Sequence, residues 1–245
     1  MIVGFVGAGS MAAAMARGWK GEFEGMLFSD SGSGRAAELA RELGGEAVSN
    51  AEIGERADLV VLAVKPATLD AAAAELGAPK IVVSLLGATS LETVAAAFPS
   101  SEIHRVMPNV AVEVGRGVLC VSGQVSPAVR EKLGLLGHVV ELRDEDFDAA
   151  TAVMGCAPAY LALAVEAIAD AGAEDGLDPE LARELVVETT AGTAELLRIR
   201  HPADVRKAVA SPGGSTEAGL EALDREGARA AFGAAVRASL ERMRR

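Results

Sequence analysis

Two short stretches hold the residues best suited to chemistry. Near the carboxyl end, Ser211-Pro-Gly-Gly-Ser-Thr216 interrupts an alanine-rich helical pattern in the run KAVASPGGSTEAGLEAL. A helix begins with N–H groups that no carbonyl of its own takes, so consecutive amides at its start can seat a small anion. Gly213 and Gly214 let the backbone come close without a Cβ, and Pro212 fixes the entry. The plainer alternative is a helix cap, with Ser215 or Thr216 bonding a backbone N–H.

At the amino end, VGFVGAGSMAAAMARG sets Gly7-x-Gly9-x-x-Ala12 between a strand and a helix. In that context Gly7 makes the tight turn, Gly9 lets backbone approach a pyrophosphate, and Ala12 keeps helix and strand close. The phosphates would rest on the helix amino terminus. A nicotinamide dinucleotide is the expected cofactor. Further along, LFSDSGSGR puts Asp30 where an acid would take the ribose hydroxyls of NAD, unless it turns away to cap the next helix. Beside it, Ser29, Ser31, Ser33 and Arg35 are the donors a 2′-phosphate would need. Val64-Lys65-Pro66 and, later, Pro108-Asn109 close two strands at the edge where such folds bind ligands. No metal is called for.

The elements that must position these residues fall into two patterns. From Met1 to about Leu142, apolar β-branched runs (MIVGFV, GMLFSD, DLVVLAV, KIVVSLL, IHRVM, GVLCVS, HVVEL) alternate with alanine-rich helical stretches. Runs so nearly continuous in apolar residues imply strands buried on both faces, as in a parallel sheet flanked by helices. Ser90, Ser126 and Asp178 mark helix starts. After Arg143 only helical text remains. The expected architecture is an α/β Rossmann domain over residues 1–145 followed by an all-α helical dimerisation domain over 146–245. LALAVEAIADA is apolar nearly all round and needs covering from more than one side, so a homodimer or higher homo-oligomer is expected.

Composition narrows the class. The net charge of −12 comes without any block of basic residues, which argues against nucleic acid. Aromatic residues make up 3% of the chain, so an interior of small aliphatic groups is expected. Cys120 and Cys156 lie far apart in apolar surroundings and read as buried free thiols. His104, His138 and His201 read as structural or exposed. The chain opens directly on a strand, with no basic segment or cleavage site, and its apolar runs fall well short of a membrane span. A cytoplasmic protein is expected.

Together, GAGSMA, AVKP, RVMPN, GCAPAY and SPGGSTEAGLEAL follow the order and spacing of the pyrroline-5-carboxylate reductase family, which this sequence resembles over essentially its whole length. The resemblance implies the last step of proline biosynthesis, in which NAD(P)H reduces the C=N bond of 1-pyrroline-5-carboxylate to L-proline. It implies that Gly7, Gly9, Ser10 and Met11 hold the pyrophosphate turn and that Asn50 touches the adenosine end. It also implies that Ala63, Lys65 and Pro66 border the nicotinamide half. Gly213, Gly214, Ser215 and Thr216 match the substrate loop, with Thr216 meeting the ring nitrogen. On the same grounds the cofactor is NADP(H), with NAD(H) as the alternative. The sequence departs from the family at Met154, Cys156 and Ala157, in place of two hydroxyl residues and a glycine, and at Val110-Ala111.

Such a loop suits a cyclic imino acid. Consecutive amides from Gly213 to Thr216 would take its carboxylate, and the Thr216 hydroxyl would meet its ring nitrogen. Hydride transfer to an iminium asks for little more than positioning. An imine reductase of different substrate range and a non-catalytic NAD(P)-binding redox sensor are the alternatives. A β-hydroxyacid dehydrogenase would need a lysine on the long interdomain helix, and APAYLALAVEAIADA has none.

Overall fold

The computed structural model describes residues 1–244. The chain divides into two compact units, Met1–Cys156 with the residues from Leu240 onward, and Ala157–Ser239. The first carries strands β1 (Ile2–Val6), β2 (Gly25–Ser29), β3 (Glu46–Ala47), β4 (Leu59–Leu62), β5 (Ile81–Ser84), β6 (Glu102–Pro108), β7 (Gly117–Ser122) and β8 (Gly137–Leu142). Between them run helices α1 (Ser10–Gly18), α2 (Arg35–Leu43), α3 (Asn50–Arg56), α4 (Leu69–Leu76), α5 (Leu91–Ala97) and α6 (Pro127–Leu136), and α7 (Phe147–Ala150) follows β8.

The strands form one sheet in the order β3-β2-β1-β4-β5-β6-β7-β8. β1 pairs in parallel with both β2 and β4, so the chain reverses its direction of winding at β1. Ligands in open α/β sheets bind at such a reversal, outside the carboxyl ends of the strands. Alternate residues serve the two faces. Val3, Phe5 and Val61 join the core under α1 and α2, whereas Val6, Val60 and Leu62 join the one under α3 and α4.

The core corrects one expectation. Aromatic residues are few, yet Trp19, Phe5, Phe28, Phe98 and Phe147 are among the largest fully buried side chains. Phe5 and Phe28 stack at 5.2 Å, and Trp19 Nε1 donates to the Lys132 carbonyl at 2.7 Å. The small aliphatic groups pack around an aromatic centre.

A second correction concerns sheet direction. β6 and β7 are antiparallel, because the short return through Val110–Val114 cannot make the crossover that a parallel pair requires. β7 and β8 are parallel again, across α6.

The change of sequence pattern near residue 145 comes before the structural division. Phe147 and Ala152 are buried in the first unit, where the Arg105 guanidinium lies 4.3 Å over the Phe147 ring. A π-helical turn, Thr151–Gly155, leads into α8 (Ala157–Glu174). Pro158 has no N–H for the carbonyl of Met154, four residues back. The carbonyl is taken instead by Asn109 Nδ2 at 3.2 Å, while Asn109 Oδ1 accepts from the Val118 N–H.

The apolar runs are therefore joined further than the sequence implied. The span Asp144–Glu174 is long and apolar enough, by length and composition alone, to cross a membrane.

The second unit holds α8, α9 (Pro179–Ile199), α10 (Pro202–Val209), α11 (Ser215–Arg225) and most of α12 (Ala228–Met243). Asp178 starts α9 by accepting from the Glu180 and Leu181 N–H groups. The Tyr160 hydroxyl and Ser239 Oγ, on α8 and α12, lie 2.5 Å apart. In α8 and α9 only Ala169 and Ala182 are buried, whereas Leu163 and Ile199 are 64% and 78% exposed. This unit buries little of its own apolar surface.

Candidate functional site

A cleft of about 700 Å³ opens at the carboxyl ends of β1, β2 and β4. Gly7 and Gly9 line it on one side, Ser29, Asp30, Ser31 and Asn50 on another, and Ala63 and Lys65 on a third. Of the residues expected there, Ser10, Met11 and Pro66 are not in its wall. Met11 packs against the core, Ser10 opens α1, and Pro66 begins the short helical turn after Lys65.

The turn between β1 and α1 is shaped for close approach. Gly7 has φ +95°, and a Cβ there would come within 2.6 Å of the Ala63 carbonyl oxygen. Next to it, Gly9 precedes α1, and a Cβ on it would point into open space. The first turn of α1 carries no acidic residue, so its N–H groups face the cleft end of the helix without a competing carboxylate. These features fit a dinucleotide pyrophosphate.

Asp30 lines the cleft, but its carboxylate oxygens are engaged within its own segment. Its Oδ1 accepts from the Gly32 and Ser33 N–H groups at 2.7 and 3.0 Å, and its Oδ2 from the Ser33 hydroxyl and the Ala36 N–H at 3.0 and 2.8 Å. The Ala36 N–H above all holds the carboxyl below the usual carboxylate range. Gly32 and Ser33 add to the effect, against partial desolvation. An acid already holding four donors in its own loop is poorly placed to take ribose hydroxyls. Ser31 and Arg35 stay exposed on that loop.

Ser29 is committed as well. It is 4% exposed, and its hydroxyl donates to Asn50 Oδ1 at 2.5 Å. Asn50 Nδ2 in turn donates to Glu75 Oε2 at 2.6 Å. Sequence reading missed Glu75, and with it Thr68, Ala71 and Ala72, which also line the cleft. They lie on the helical turn and helix that follow Lys65, and nothing in their types or spacing marks them as ligand contacts.

The loop before α11 leaves fewer free amides than expected. Gly213 has φ +71°, which suits glycine alone. Its N–H donates to Glu217 Oε2 at 2.7 Å, and the Gly214 N–H donates to the Ser211 carbonyl at 2.9 Å. Two of the amides expected to meet a ligand are thus engaged by their own chain. The N–H groups of Ser215 and Thr216 open α11, where no carbonyl of the helix reaches back to them. No side chain caps this helix, so the expected alternative role of Ser215 or Thr216 as cap is not the one seen. Ser215 and Thr216 are exposed.

Fold and cleft together define a protein of the Rossmann type, with a cleft at the dinucleotide position and a helical carboxyl-terminal unit. Residues 144–245 match the family model for pyrroline-5-carboxylate reductase dimerisation, and residues 2–87 match that for NADP oxidoreductase, coenzyme F420-dependent. A pyrroline-5-carboxylate reductase of Thermus thermophilus is 36% identical, over 99% of this chain and 97% of its own. The solved 1-pyrroline-5-carboxylate reductase of Streptococcus pyogenes is 29% identical and superposes with a TM-score of 0.87, covering 99% of this chain and 98% of that one. The Plasmodium falciparum pyrroline carboxylate reductase, solved with NADP bound, is 26% identical and also superposes at 0.87, over 99% and 97%. The chain belongs to the pyrroline-5-carboxylate reductase family.

Proposed function

We propose that this chain reduces 1-pyrroline-5-carboxylate to L-proline with a reduced nicotinamide dinucleotide, as the final step of proline biosynthesis in the cytoplasm. The observation that carries the reading is the pairing, within a member of this family, of a pyrophosphate-type turn at Gly7–Gly9 with a small-anion turn at Ser211–Thr216. A sensor that only held a nucleotide would have no use for the second turn.

The coenzyme belongs to the amino-terminal unit, and substrate binding and self-association belong to the helical one. Gly7, Gly9 and the first N–H groups of α1, from Ser10 and Met11, hold the pyrophosphate. Asn50 takes the adenosine end, and Ala63, Lys65 and Pro66 border the nicotinamide half. When bound, the reduced coenzyme supplies one hydride to the imine carbon. NADPH is the preferred form: Asp30 is spent on its own loop, which frees Ser31 and Arg35 for a 2′-phosphate.

On the substrate side, the Ser215 and Thr216 N–H groups take the carboxylate, with Gly213 and Gly214 shaping the turn. The Thr216 hydroxyl accepts from the ring N–H of the iminium, which makes it the catalytic residue. This hydrogen bond holds the nitrogen in its protonated form, which is what makes the carbon electrophilic, and fixes the face of the C=N bond. The hydride closes the C–H bond as the C=N π pair moves onto nitrogen, where the proton already present stays. No side-chain acid is required.

The exposed apolar side chains of α8 and α9 are covered by a second copy of this chain, which makes the homodimer the basic unit. That also accounts for the apolar Asp144–Glu174 stretch without a membrane. The direct test is loss of the NADPH absorbance band when 1-pyrroline-5-carboxylate is added, run beside NADH. A flat trace with both coenzymes overturns the enzyme reading. Turnover only with other cyclic imines favours a related imine reductase.

A further inference from the structure

Besides Asp30, the coenzyme cleft contains a second acid that the proposed chemistry does not use. Glu75 sits on the last turn of α4, exposed, with Oε2 on Asn50 Nδ2 at 2.6 Å. The contact depends on how closely α3 and α4 pack. Gly54 faces the carbonyl of Leu76, and any Cβ there would collide with that oxygen. Asn50 opens α3 and Glu75 nearly ends α4, so this close packing brings the two side chains together at the mouth of the cleft.

A carboxamide presents a carbonyl on one side and an NH2 on the other, and its surroundings decide which side is which. Ser29 cannot decide, because a hydroxyl donates or accepts equally well. Glu75 can, since an ionised carboxylate only accepts. It draws the NH2 of Asn50 toward itself and leaves Oδ1 for the Ser29 hydroxyl, at 2.5 Å. One hydrogen of Nδ2 is then used and one remains for a ligand. It lies at the end of the cleft bounded by β2 and the loop from Asp30, where acceptors such as ribose oxygens or adenine ring nitrogens would come.

We propose that Glu75 is a positioning residue for the coenzyme, acting through Asn50: it fixes the orientation of the Asn50 amide that recognises the adenosine half. The inference rests on the coenzyme reading of this cleft. It also has a distinctive sign. Removing a carboxylate beside a phosphorylated ligand would, on charge alone, tighten binding. Releasing the amide weakens it.

The test uses the full chain with Glu75→Gln and Glu75→Ala. Glutamine keeps the size of the side chain but both donates and accepts, so it no longer selects one amide orientation. Adenosine 2′,5′-bisphosphate is titrated calorimetrically, and KM and kcat are measured for NADPH. Both variants are expected to bind the bisphosphate about threefold to tenfold more weakly, the scale of one hydrogen bond. The KM for NADPH should rise in step, with kcat at saturating coenzyme retained. Equal or tighter bisphosphate binding in both variants overturns the inference, as does a loss confined to kcat. Failure of the unaltered chain to bind either NADPH or the bisphosphate is a different result, and removes the coenzyme reading itself.

Discussion

The carboxylate of Glu217 lies on the backbone N–H of Gly213, 2.7 Å away, across the turn that leads into α11. The protein thus places an anion of its own in a loop proposed to receive an anion. The side chain braces the left-handed Gly213 and leaves the amides of Ser215 and Thr216 for the proposed substrate carboxylate. It also adds a like charge close to that carboxylate.

Glu217→Gln keeps an acceptor for Gly213 and removes the charge. The KM for 1-pyrroline-5-carboxylate should fall about twofold to fourfold, the size of an exposed charge–charge effect, and the difference should fade as salt is raised. Steady-state kinetics at low and high ionic strength check it. A higher KM in the variant would mean that the substrate needs the charge.

Thr216→Val removes the hydroxyl proposed to meet the ring nitrogen while keeping the shape of the side chain. Transition-state binding should weaken by about 1.5–3 kcal/mol, read as a loss in kcat/KM. Coenzyme affinity, measured separately, should hold. Undiminished kcat/KM would take Thr216 out of the reaction.

Arg35→Ala bears on coenzyme choice. With Asp30 turned into its own loop, Arg35 is the cation available to a 2′-phosphate, so the KM for NADPH should rise by about tenfold while that for NADH changes little. Equal effects on both coenzymes would place the 2′-phosphate elsewhere.

Asp30 makes a stability prediction with a definite pH sign. Its folded-state carboxyl titrates below the ordinary value, chiefly through the Ala36 N–H. The stabilisation is therefore fully present above the unfolded-state pKa and is lost as pH falls through the folded value. Asp30→Ala should cost about 1 kcal/mol at neutral pH, as loss of a helix-start cap does. Urea titrations should show the gap between variant and parent closing in acid. A gap independent of pH would mean the effect is not electrostatic.

Leu163→Asp tests self-association. Leu163 is 64% exposed on α8, in a unit that buries little of its own apolar surface. Light scattering should report an oligomer for the parent chain and a smaller species for the variant. An unchanged mass would put the interface elsewhere.

Much of this was legible in the residues. Gly7 and Gly9 declared their turn because a left-handed residue and a close backbone approach leave few other choices of side chain. The parallel strands declared themselves by being apolar on both faces. What stayed hidden depends on pairings between distant segments. Nothing in EVGRG foretells that β7 runs antiparallel to β6, and nothing in DAAAAEL marks Glu75 as the partner of Asn50. The ambiguity at Asp30 was real in the sequence, since ribose recognition and helix capping ask for the same residue type. Only the positions of the Gly32 and Ala36 amides separate them. Likewise, Met154 and Pro158 gave no sign that a wide helical turn would join two apolar runs, because the donor to the Met154 carbonyl, Asn109, comes from another part of the chain.

The burial of Trp19 against the Lys132 carbonyl has a practical consequence. It is the chain's one tryptophan, in the sheet-bearing unit, and Tyr160 is its one tyrosine, in the helical unit. Each half therefore carries its own optical reporter. Selective excitation of the indole follows melting of the sheet, and phenol emission follows the helices. Whether the halves come apart in one cooperative event or two is readable from the unmodified chain, without attaching a label.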